Sequence, residues 1–201
     1  MESSVLNLPE AIRRSIWPQL ISPRPLALVS TVSAEGVRNI APYNSYSGLA
    51  TSPPMLGISI SSRKLSEKRT LQNVRDTGEF VVNLTPRFLA DVMVQSAEDT
   101  TEPVDDFIRL DLTPARAANV AADRIVECPA ALECRVTQIV ELPPSRCLLI
   151  VAQVVGVAIR DEFYDEVGGF DAQAADLLAS IGVDQYVSVN GETLTLPVTW
   201  E

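Results

Sequence analysis

The residues best suited to chemistry begin with a run of four polar side chains, Asn44, Ser45, Tyr46 and Ser47. The run falls within a predicted β-strand, where apolar and polar residues normally alternate, yet both faces of this stretch are polar or small. A second group follows the next predicted strand and consists of hydroxyls and cations, at Ser61, Ser62, Arg63 and Lys64. Together these two groups indicate that this part of the chain binds a ligand, since their polar side chains are not those of a packed core. The alternative is a polar strand edge and a hydrophilic loop that both face solvent.

The chain contains no histidine. This excludes a Ser-His-Asp triad, a Cys-His pair and any His-ligated zinc or iron site. Cys128, Cys134 and Cys147 lack C-x-x-C spacing, and we interpret them as reduced, buried core residues, with a redox or nucleophilic role as the alternative. Any catalysis must therefore be carried by a carboxylate, a Lys, a Tyr or a bound cofactor. We assign no catalytic residue and no metal site.

Composition limits the classes of partner. The chain carries 16 Lys and Arg against 26 Asp and Glu, a net charge of -10, which argues against nucleic acid because its binding depends on a cationic surface. The N-terminus lacks the pattern of a signal peptide, and the longest apolar run, CLLIVAQVVGVAI, is too short to span a bilayer. We expect a cytoplasmic protein with no nucleic-acid or membrane partner and a single domain over residues 1–201.

Local patterns predict the strands that would position the polar groups. A short helix ends before Pro18, and residues 26–47 form a hairpin that turns at Gly36, with Pro42 at an edge or a bulge. MLGISI and EFVVNL are further strands. The runs ALECRVTQIVEL and RCLLIVAQVVGVAIR, which flank Pro143–Pro144, form an antiparallel pair.

Capping and turn residues predict the remaining elements. Thr70 caps a helix that ends at Gly78, and Thr85–Pro86 begins another that reaches about Ala97. The other predicted elements are a helix that starts at Thr113–Pro114, a helix over residues 171–180 and a strand over residues 186–189. Because strands outnumber helices and no βαβ pattern repeats, the expected fold is mainly β (α+β), an antiparallel barrel with peripheral helices.

Several motifs, taken in order, resemble those of one known family. SPRPLALVSTVSAEGVRNIAPYNSYSGLATSPPMLGISIS, KRTLQNVRDTGEFVVNL and LECRV follow one another over roughly residues 20–160. P-R-P precedes a strand, N-x-A-P-Y precedes the polar run, and T-G-E-F-V-V-N forms a later strand. In this combination the chain resembles the flavin reductase-like proteins. The resemblance implies an antiparallel split β-barrel that binds FMN, and a homodimer with the flavin near the subunit interface.

The resemblance gives the polar run a purpose. Isoalloxazine is a flat, mostly apolar ring with one edge of hydrogen-bonding atoms, so its pocket needs small residues, backbone amides and a few side-chain donors. By resemblance, residues 44–47 line this edge. Ser45 is expected to donate its hydroxyl proton toward the part of the ring that becomes negative on reduction, and Tyr46 to supply packing surface.

The second polar group meets the needs of the FMN phosphate, an anion that favours cations, hydroxyls and a helix N-terminus. The phosphate residues implied by the resemblance are Ser61, Ser62, Arg63, Lys68 and Thr70. Where the family commonly carries K-D-T, this chain has Lys68, Arg69 and Thr70, so a cation replaces the central Asp. Arg69 is expected either to add positive charge beside the phosphate or to face solvent.

The C-terminal part departs from the family pattern. Many members carry an arginine and paired glycines before an aromatic residue, and only Gly182 and Tyr186 have counterparts here. The strand VVGVAIR also lacks the histidine that members often carry. These departures leave the implied FMN site intact but bear on the nicotinamide or substrate step.

Three functions are compatible with these observations. The first is an NAD(P)H-dependent flavin reductase or related flavoenzyme, in which hydride reaches FMN without a protein nucleophile and serves a partner monooxygenase or a small-molecule acceptor. The second is a non-catalytic FMN-binding electron carrier or flavin-storage protein. The third is a barrel that has lost flavin and acts as a dimeric scaffold, which the retained Ser, Arg, Lys and Thr residues disfavour.

Overall fold

A computed structural model describes residues 4, 7–61, 68–98, 100, 104–167 and 169–191. Its α-helices are α1 Glu10–Leu20, α2 Arg69–Thr77, α3 Ala90–Ser96 and α4 Asp106–Arg109. Its strands are β1 Arg24–Pro25, β2 Ala27–Val32, β3 Arg38–Tyr43, β4 Tyr46–Thr51, β5 Pro54–Ser61, β6 Glu79–Leu84, β7 Pro114–Ala115, β8 Arg124–Ile125, β9 Ala130–Leu142, β10 Cys147–Ile159, β11 Tyr164–Asp165, β12 Gly169–Phe170, β13 Leu178–Ser180 and β14 Tyr186–Ser188.

A seven-stranded antiparallel sheet organises the described residues, in the order β3-β2-β6-β9-β10-β5-β4. β3 and β4 lie at opposite edges of this sheet, although only Asn44 and Ser45 separate them in sequence. The sheet must therefore curl until its two edges meet, which gives a barrel that is open along one seam. The predicted mainly β, antiparallel fold with few helices is confirmed.

β2 and β6 each carry three consecutive apolar residues, ALV and FVV, because both faces of these strands are buried. Ala27, Val29 and Phe80 belong to a core inside the curled sheet. Leu28 faces the other way and packs in a second core with side chains of α3 and α4, and Val81 packs in a third cluster. The sheet is thus covered on both sides over these strands.

The predicted hairpin over residues 26–47 is confirmed in its first part. β2 and β3 pair around a turn in which Gly36 has a φ of +85°, a conformation that favours glycine. Pro42 lies in the edge strand β3, where a proline is tolerated because it interrupts no central ladder.

The second part of that hairpin prediction is wrong. Residues 37–47 do not form one strand, because the chain leaves β3 after Tyr43 and begins β4 at Tyr46, which pairs with β5 instead of β2. Asn44 and Ser45 form the connection, which we call the seam link. The polar run therefore straddles the seam of the barrel.

The predicted helices near the N-terminus and at Thr70 need two corrections. α1 continues through Pro18 to Leu20, since a proline so close to a helix C-terminus removes a single backbone hydrogen bond. α2 begins at Arg69 with Lys68 as its N-cap, so Thr70 lies inside the first turn and does not cap the helix. The predicted end of α2 is confirmed, because Gly78 adopts the left-handed conformation with φ +72°.

Three other helix predictions have mixed outcomes. The helix after Thr85–Pro86 is confirmed as a 3-10 turn, Arg87–Leu89, that continues into α3. The helix at Thr113–Pro114 is wrong, since Pro114 and Ala115 pair with β8 and the helix of this region is α4. The strand predicted over residues 186–189 is confirmed as β14.

The helix predicted over residues 171–180 is also wrong. The Asp171 carboxylate does cap one turn by accepting hydrogen bonds from the amides of Gln173 and Ala174. The turn then stops, because Leu178 donates its backbone N–H to Thr85 O and accepts from Leu26 N. Backbone partners in the neighbouring strands therefore hold β13 extended and override its local helix signal.

The predicted pair of long strands, β9 and β10, is confirmed and carries a buried carboxylate. Glu133 on β9 accepts hydrogen bonds from Ala118 N at 2.9 Å, Asn119 N at 2.7 Å and Asn119 Nδ2 at 2.8 Å. Gly156 on β10 leaves room for this contact, since a Cβ there would lie 2.4 Å from Asn119 Nδ2. The carboxylate thus clamps the loop before β8 against the barrel.

We expect Glu133→Gln to lower the free energy of unfolding by about 1–3 kcal/mol, because its amide would point N–H groups at N–H donors. Burial by itself would raise the pKa of Glu133, but the hydrogen bonds from Ala118 and Asn119 lower it overall. The stabilisation is therefore present above the ordinary glutamate pKa and is lost as pH falls through the lowered pKa of the folded protein. Urea denaturation at neutral pH and at about pH 4 measures both effects.

Glu141→Gln provides the matched control, since Glu141 lies exposed on the same strand. This variant should unfold within about 0.5 kcal/mol of the wild type. Equal losses in the two variants would contradict the clamp.

Candidate functional site

The seam link is held closed by two hydrogen bonds between the same two residues. Ser59 on β5 donates its backbone N–H to Ser45 O at 3.1 Å. In return, Ser45 Oγ donates to Ser59 O at 2.7 Å. The single proton of the Ser45 hydroxyl is therefore committed to the barrel, and the oxygen retains only acceptor capacity. The expectation that this hydroxyl donates to a ligand is corrected by this contact.

Two tyrosines flank the seam link. Tyr43 ends β3 and Tyr46 begins β4, and both side chains pack against the inner core. Burial raises the pKa of Tyr43 and raises that of Tyr46 to about 12. Both phenols therefore stay neutral at physiological pH and offer aromatic surface beside the link.

The remaining members of the polar run are more accessible. Asn44 is half-buried, and its side chain makes no hydrogen bond within the described part of the chain. Ser47 lies exposed on β4 opposite Gly57, and its hydroxyl reaches only the neighbouring Gly48 O at 3.3 Å. The amide of Asn44 and the hydroxyl of Ser47 are thus the side-chain groups of this run that can both donate to a ligand and accept from it, whereas Ser45 Oγ can only accept.

The second polar group lies on the elements next to the seam. Ser61 is exposed at the end of β5, the strand that pairs with β4. Lys68 stands at the N-cap of α2, whose Leu71 and Val74 enter the inner core. Two further predicted phosphate residues, Ser62 and Arg63, lie outside the described residues.

Thr70 occupies a buried position in the first turn of α2, where it is 2% exposed. Its hydroxyl accepts a hydrogen bond from Asn39 Nδ2 at 3.1 Å. Asn39 also donates to Thr31 Oγ1 at 3.3 Å, and Asn73 donates to the same oxygen at 2.9 Å. Thr70 therefore belongs to a polar network that joins α2 to β2 and β3.

The structure pairs Arg69 with a buried carboxylate. Arg69 Nη2 lies 2.7 Å from Asp106 Oδ2, and Nη1 donates to Val104 O at 2.9 Å. Asp106 is fully buried and also accepts from Arg109 Nε at 2.8 Å. The charge of Arg69 is thus paired with a carboxylate, and its side chain, which is 25% exposed, is directed only in part to solvent.

Asp106 and Asn39 are the residues that sequence reasoning missed. Asp106 ties three elements together, since it binds Arg69 of α2 and also accepts Ile40 N of β3 at 2.9 Å. The available signal was the Asp105–Asp106 pair before FIR, a helix start in which Asp105 accepts from Phe107 N. For Asn39, the available signal was its place in the N-x-A-P-Y motif. That motif indicates the family resemblance but does not by itself assign a role to Asn39.

The P-R-P motif and the altered C-terminal segment meet in space. Arg24 Nη2 donates to Ser180 Oγ at 2.9 Å and to Gly182 O at 3.0 Å. Ser180 is buried, and its hydroxyl also donates to Gly182 O. Arg24 therefore anchors the C-terminal segment that follows β13, and Gly182 serves this anchor.

The described residues offer no other obvious reactive centre. Cys128 and Cys134 are buried free thiols, and burial raises the pKa of Cys128 and raises that of Cys134 to about 12. Cys147 is a free thiol that is only half-buried, which corrects its prediction as a buried residue. Among the described residues no three His, Cys, Asp or Glu side chains gather as metal ligands, and no helix is long and apolar enough to cross a membrane.

Comparison with known proteins places this arrangement in a family. A family model described as flavin reductase like domain matches residues 21–174. An uncharacterized protein of Aquifex aeolicus strain VF5 is 32% identical over 174 residues, which cover 86% of this chain and 88% of that protein. The bounds of the family match include the seam link, the start of α2 and the long β9–β10 pair.

Solved structures share the fold at lower identity. Nitrilotriacetate monooxygenase component B from Bacillus cereus superposes with a TM-score of 0.90 at 23% identity, covering 98% of each chain. A split-barrel-domain protein from Shewanella frigidimarina NCIMB 400 gives 0.87 at 22% identity, covering 99% of this chain and 100% of the other. Flavoredoxin of Desulfovibrio vulgaris (Miyazaki F) gives 0.80 at 22%, covering 98% and 97%. These matches confirm the predicted split-barrel fold.

We expect Ser45→Ala to lower the free energy of unfolding by about 1 kcal/mol, because Ser59 O loses a donor across the seam. Ser47→Ala is the matched control, since it removes a hydroxyl two residues away that bonds only its neighbour. That variant should stay within about 0.5 kcal/mol of the wild type. Chemical denaturation of both variants measures the difference, and equal stability of the two would show that the Ser45 hydroxyl does not hold the seam.

Proposed function

Because the chain belongs to the flavin reductase-like family, we propose that it is an FMN-binding oxidoreductase that takes hydride from NADH or NADPH. The single observation that carries this proposal is the seam link. There the Asn44 amide, which makes no side-chain hydrogen bond to another described residue, lies beside the neutral aromatic surface of Tyr43 and Tyr46. Small-molecule sites commonly combine mostly apolar walls with a few placed polar groups.

The residues at the seam fit the ring of a flavin. Tyr46 supplies apolar surface, the Asn44 amide offers both a donor and an acceptor, and the Ser45 oxygen can accept from a ring N–H. Ser47 is small and exposed, which leaves space at the start of β4. The ring edge would thus be recognised by Asn44 and by backbone amides, with Ser45 as an acceptor only.

The start of α2 fits the phosphate of FMN. The backbone N–H groups of a first helical turn carry partial positive charge, and Lys68 adds a full charge at the N-cap. Ser61, at the end of β5, joins the proposed set. Ser62 and Arg63, which lie outside the described residues, are its other proposed members. Thr70 belongs to the same helical turn, and its buried hydroxyl accepts a hydrogen bond from Asn39. We therefore propose that Thr70 holds this turn in place beside the phosphate.

A bound FMN would supply hydride acceptance at its ring, so the protein needs no nucleophile and no compulsory acid. The chain's own residues would hold the ring at the seam, fix the phosphate at α2 and keep neutral groups beside the ring. We propose that the reduced protein serves a partner monooxygenase or a small-molecule acceptor. A component B of a monooxygenase shares the fold, which supports a partner monooxygenase as the electron acceptor.

A non-catalytic FMN-binding electron carrier is the second candidate. Gly182, one of the two C-terminal positions that match the family pattern, is engaged by Arg24 and Ser180 in a structural contact. Because Gly182 serves a structural contact here, its match to the family pattern is no sign of a nicotinamide site. This favours a protein in which the nicotinamide step is absent.

We expect the purified protein, loaded with FMN and freed of excess, to keep a visible flavin spectrum that NADH or NADPH bleaches under anaerobic conditions. The hydride step needs only correct placement of two rings, so bleaching should be stoichiometric and faster than for free FMN. Stopped-flow absorbance with each nicotinamide measures the rate. Retention of FMN without bleaching by either donor would favour the electron carrier, and failure to retain FMN would overturn both candidates.

We also propose a homodimer, because α1 contains no buried residue and exposes large apolar side chains. Trp17 is 58% exposed and Leu20 is 72% exposed, and exposed apolar groups of this size are typical of association surfaces. Light scattering should give twice the 21.8 kDa of one chain. Leu20→Glu should weaken the dimer, whereas Val167→Glu, at an exposed valine between β11 and β12, should not.

A monomer at micromolar concentration with FMN bound would contradict the homodimer. Equal weakening by Leu20→Glu and Val167→Glu would contradict the role of α1 in it.

A further inference from the structure

Asn39, the first residue of the N-x-A-P-Y motif, points into the protein and away from any ligand. It lies on β3, directly opposite Thr31 of β2, and is 5% exposed. Its amide nitrogen donates to Thr31 Oγ1 at 3.3 Å and to Thr70 Oγ1 at 3.1 Å. An amide nitrogen carries two hydrogens, so these two threonines use its full donor capacity.

Asn39 makes one of several ties between β3 and the first turn of α2. The phenol of Tyr43, at the end of β3, also hydrogen-bonds the Thr70 side chain. A further tie runs from Ile40, whose backbone N–H is accepted by Asp106, to Arg69, which pairs with the same carboxylate oxygen. Consecutive residues of β3 thus hold consecutive residues of α2, Arg69 and Thr70, from two sides. The start of α2 is fixed against β3 by the buried side chains of Asn39, Thr70 and Asp106.

β3 itself connects this point to the seam link. The strand runs from Arg38 to Tyr43 and is followed at once by Asn44. An extended strand advances about 3.3 Å per residue, which places Asn39 about 17 Å along the chain from Asn44. A ligand held both at the seam link and at α2 must match a separation that β3 and its ties determine.

We propose that Asn39 is a positioning residue for the phosphate half of the site, acting through Thr70 to fix the first turn of α2. The inference rests on the proposed binding of FMN. A flavin that carries a phosphate uses both halves of the site and depends on Asn39. Riboflavin, which lacks the phosphate, uses only the seam half and is insensitive to this contact.

Asn39→Ala and Asn73→Ala form a matched pair that isolates the contact. The two asparagines are almost equally buried, at 5% and 6% exposed, and both donate to Thr31. The Thr70 side chain hydrogen-bonds Asn39 and the phenol of Tyr43, whereas Asn73 makes no hydrogen bond to Thr70 within the described residues. Both variants should lower the melting temperature, but only Asn39→Ala should lower the ratio of FMN affinity to riboflavin affinity, by about threefold to tenfold.

Fluorescence-quenching titrations of each variant with FMN and with riboflavin give this ratio, which a general loss of stability does not move. Thr70→Val should lower the ratio as Asn39→Ala does, and Thr70→Ser should restore it. In the double variant Asn39→Ala/Thr70→Val, the ratio of FMN affinity to riboflavin affinity should fall no further than in Thr70→Val alone, because Asn39 acts through Thr70. If Asn39→Ala does not fold, Thr70→Val and Thr70→Ser carry the comparison.

Equal ratios in Asn39→Ala and Asn73→Ala, or a Thr70→Val variant with the wild-type ratio, would overturn the role of Asn39 while leaving the proposed function in place. A wild-type protein that binds neither flavin would overturn the proposed function and this inference with it. A wild type that binds FMN no better than riboflavin would overturn this inference alone.

Discussion

The structure depends on a topological constraint, the joining of opposite sheet edges by two residues. β3 and β4 are the outermost strands of the seven-stranded order, and Asn44 with Ser45 is the whole connection between them. A chain cannot satisfy this without curling the sheet, so closure is imposed covalently and the Ser45–Ser59 hydrogen bonds complete it. The constraint also explains the polar composition of the link. At the seam the backbone leaves the β3 ladder before it joins the β4 ladder. Backbone N–H and C=O groups that a continuous strand would pair are therefore free to bond other partners.

Buried carboxylates perform the fastening elsewhere. Asp106 gathers Arg69, Arg109 and the edge amide of Ile40, and Glu133 gathers the amides of a loop. An ionised carboxylate has about four acceptor positions, so it can satisfy several donors that converge from different elements, which a neutral side chain cannot. Such a group is stabilising only while its donors stay in place, because an unpaired buried charge is costly. Both clamps therefore act as all-or-none fasteners on the side of the barrel wall away from the inner core.

The parts of this fold that the sequence predicted are those with a local cause. Gly36 and Gly78 mark a turn and a helix end because both need positive φ, and the apolar runs of β9 and β10 are strands on their composition alone. The errors have a nonlocal cause. Residues 37–47 split between two sheet edges, and residues 171–180 are held extended by Leu26 and Thr85. The same distinction applies to the site: its polar runs are visible in the sequence, but the pairing of Arg69 with Asp106 and of Thr70 with Asn39 requires contacts across more than 30 residues.

The absence of histidine limits how the charge of the site can change with pH. No side chain of the whole sequence has an unperturbed pKa between pH 5 and 8, and burial moves the phenol of Tyr46 further from that range. The two phenols that flank the seam link therefore remain neutral over neutral pH. The groups left to act there are an amide, hydroxyl oxygens, backbone N–H groups and the permanent charges of Lys and Arg. Stabilisation of a flavin at the proposed site would therefore depend on preorganised dipoles and on Lys and Arg charges, and not on a histidine that titrates near neutral pH.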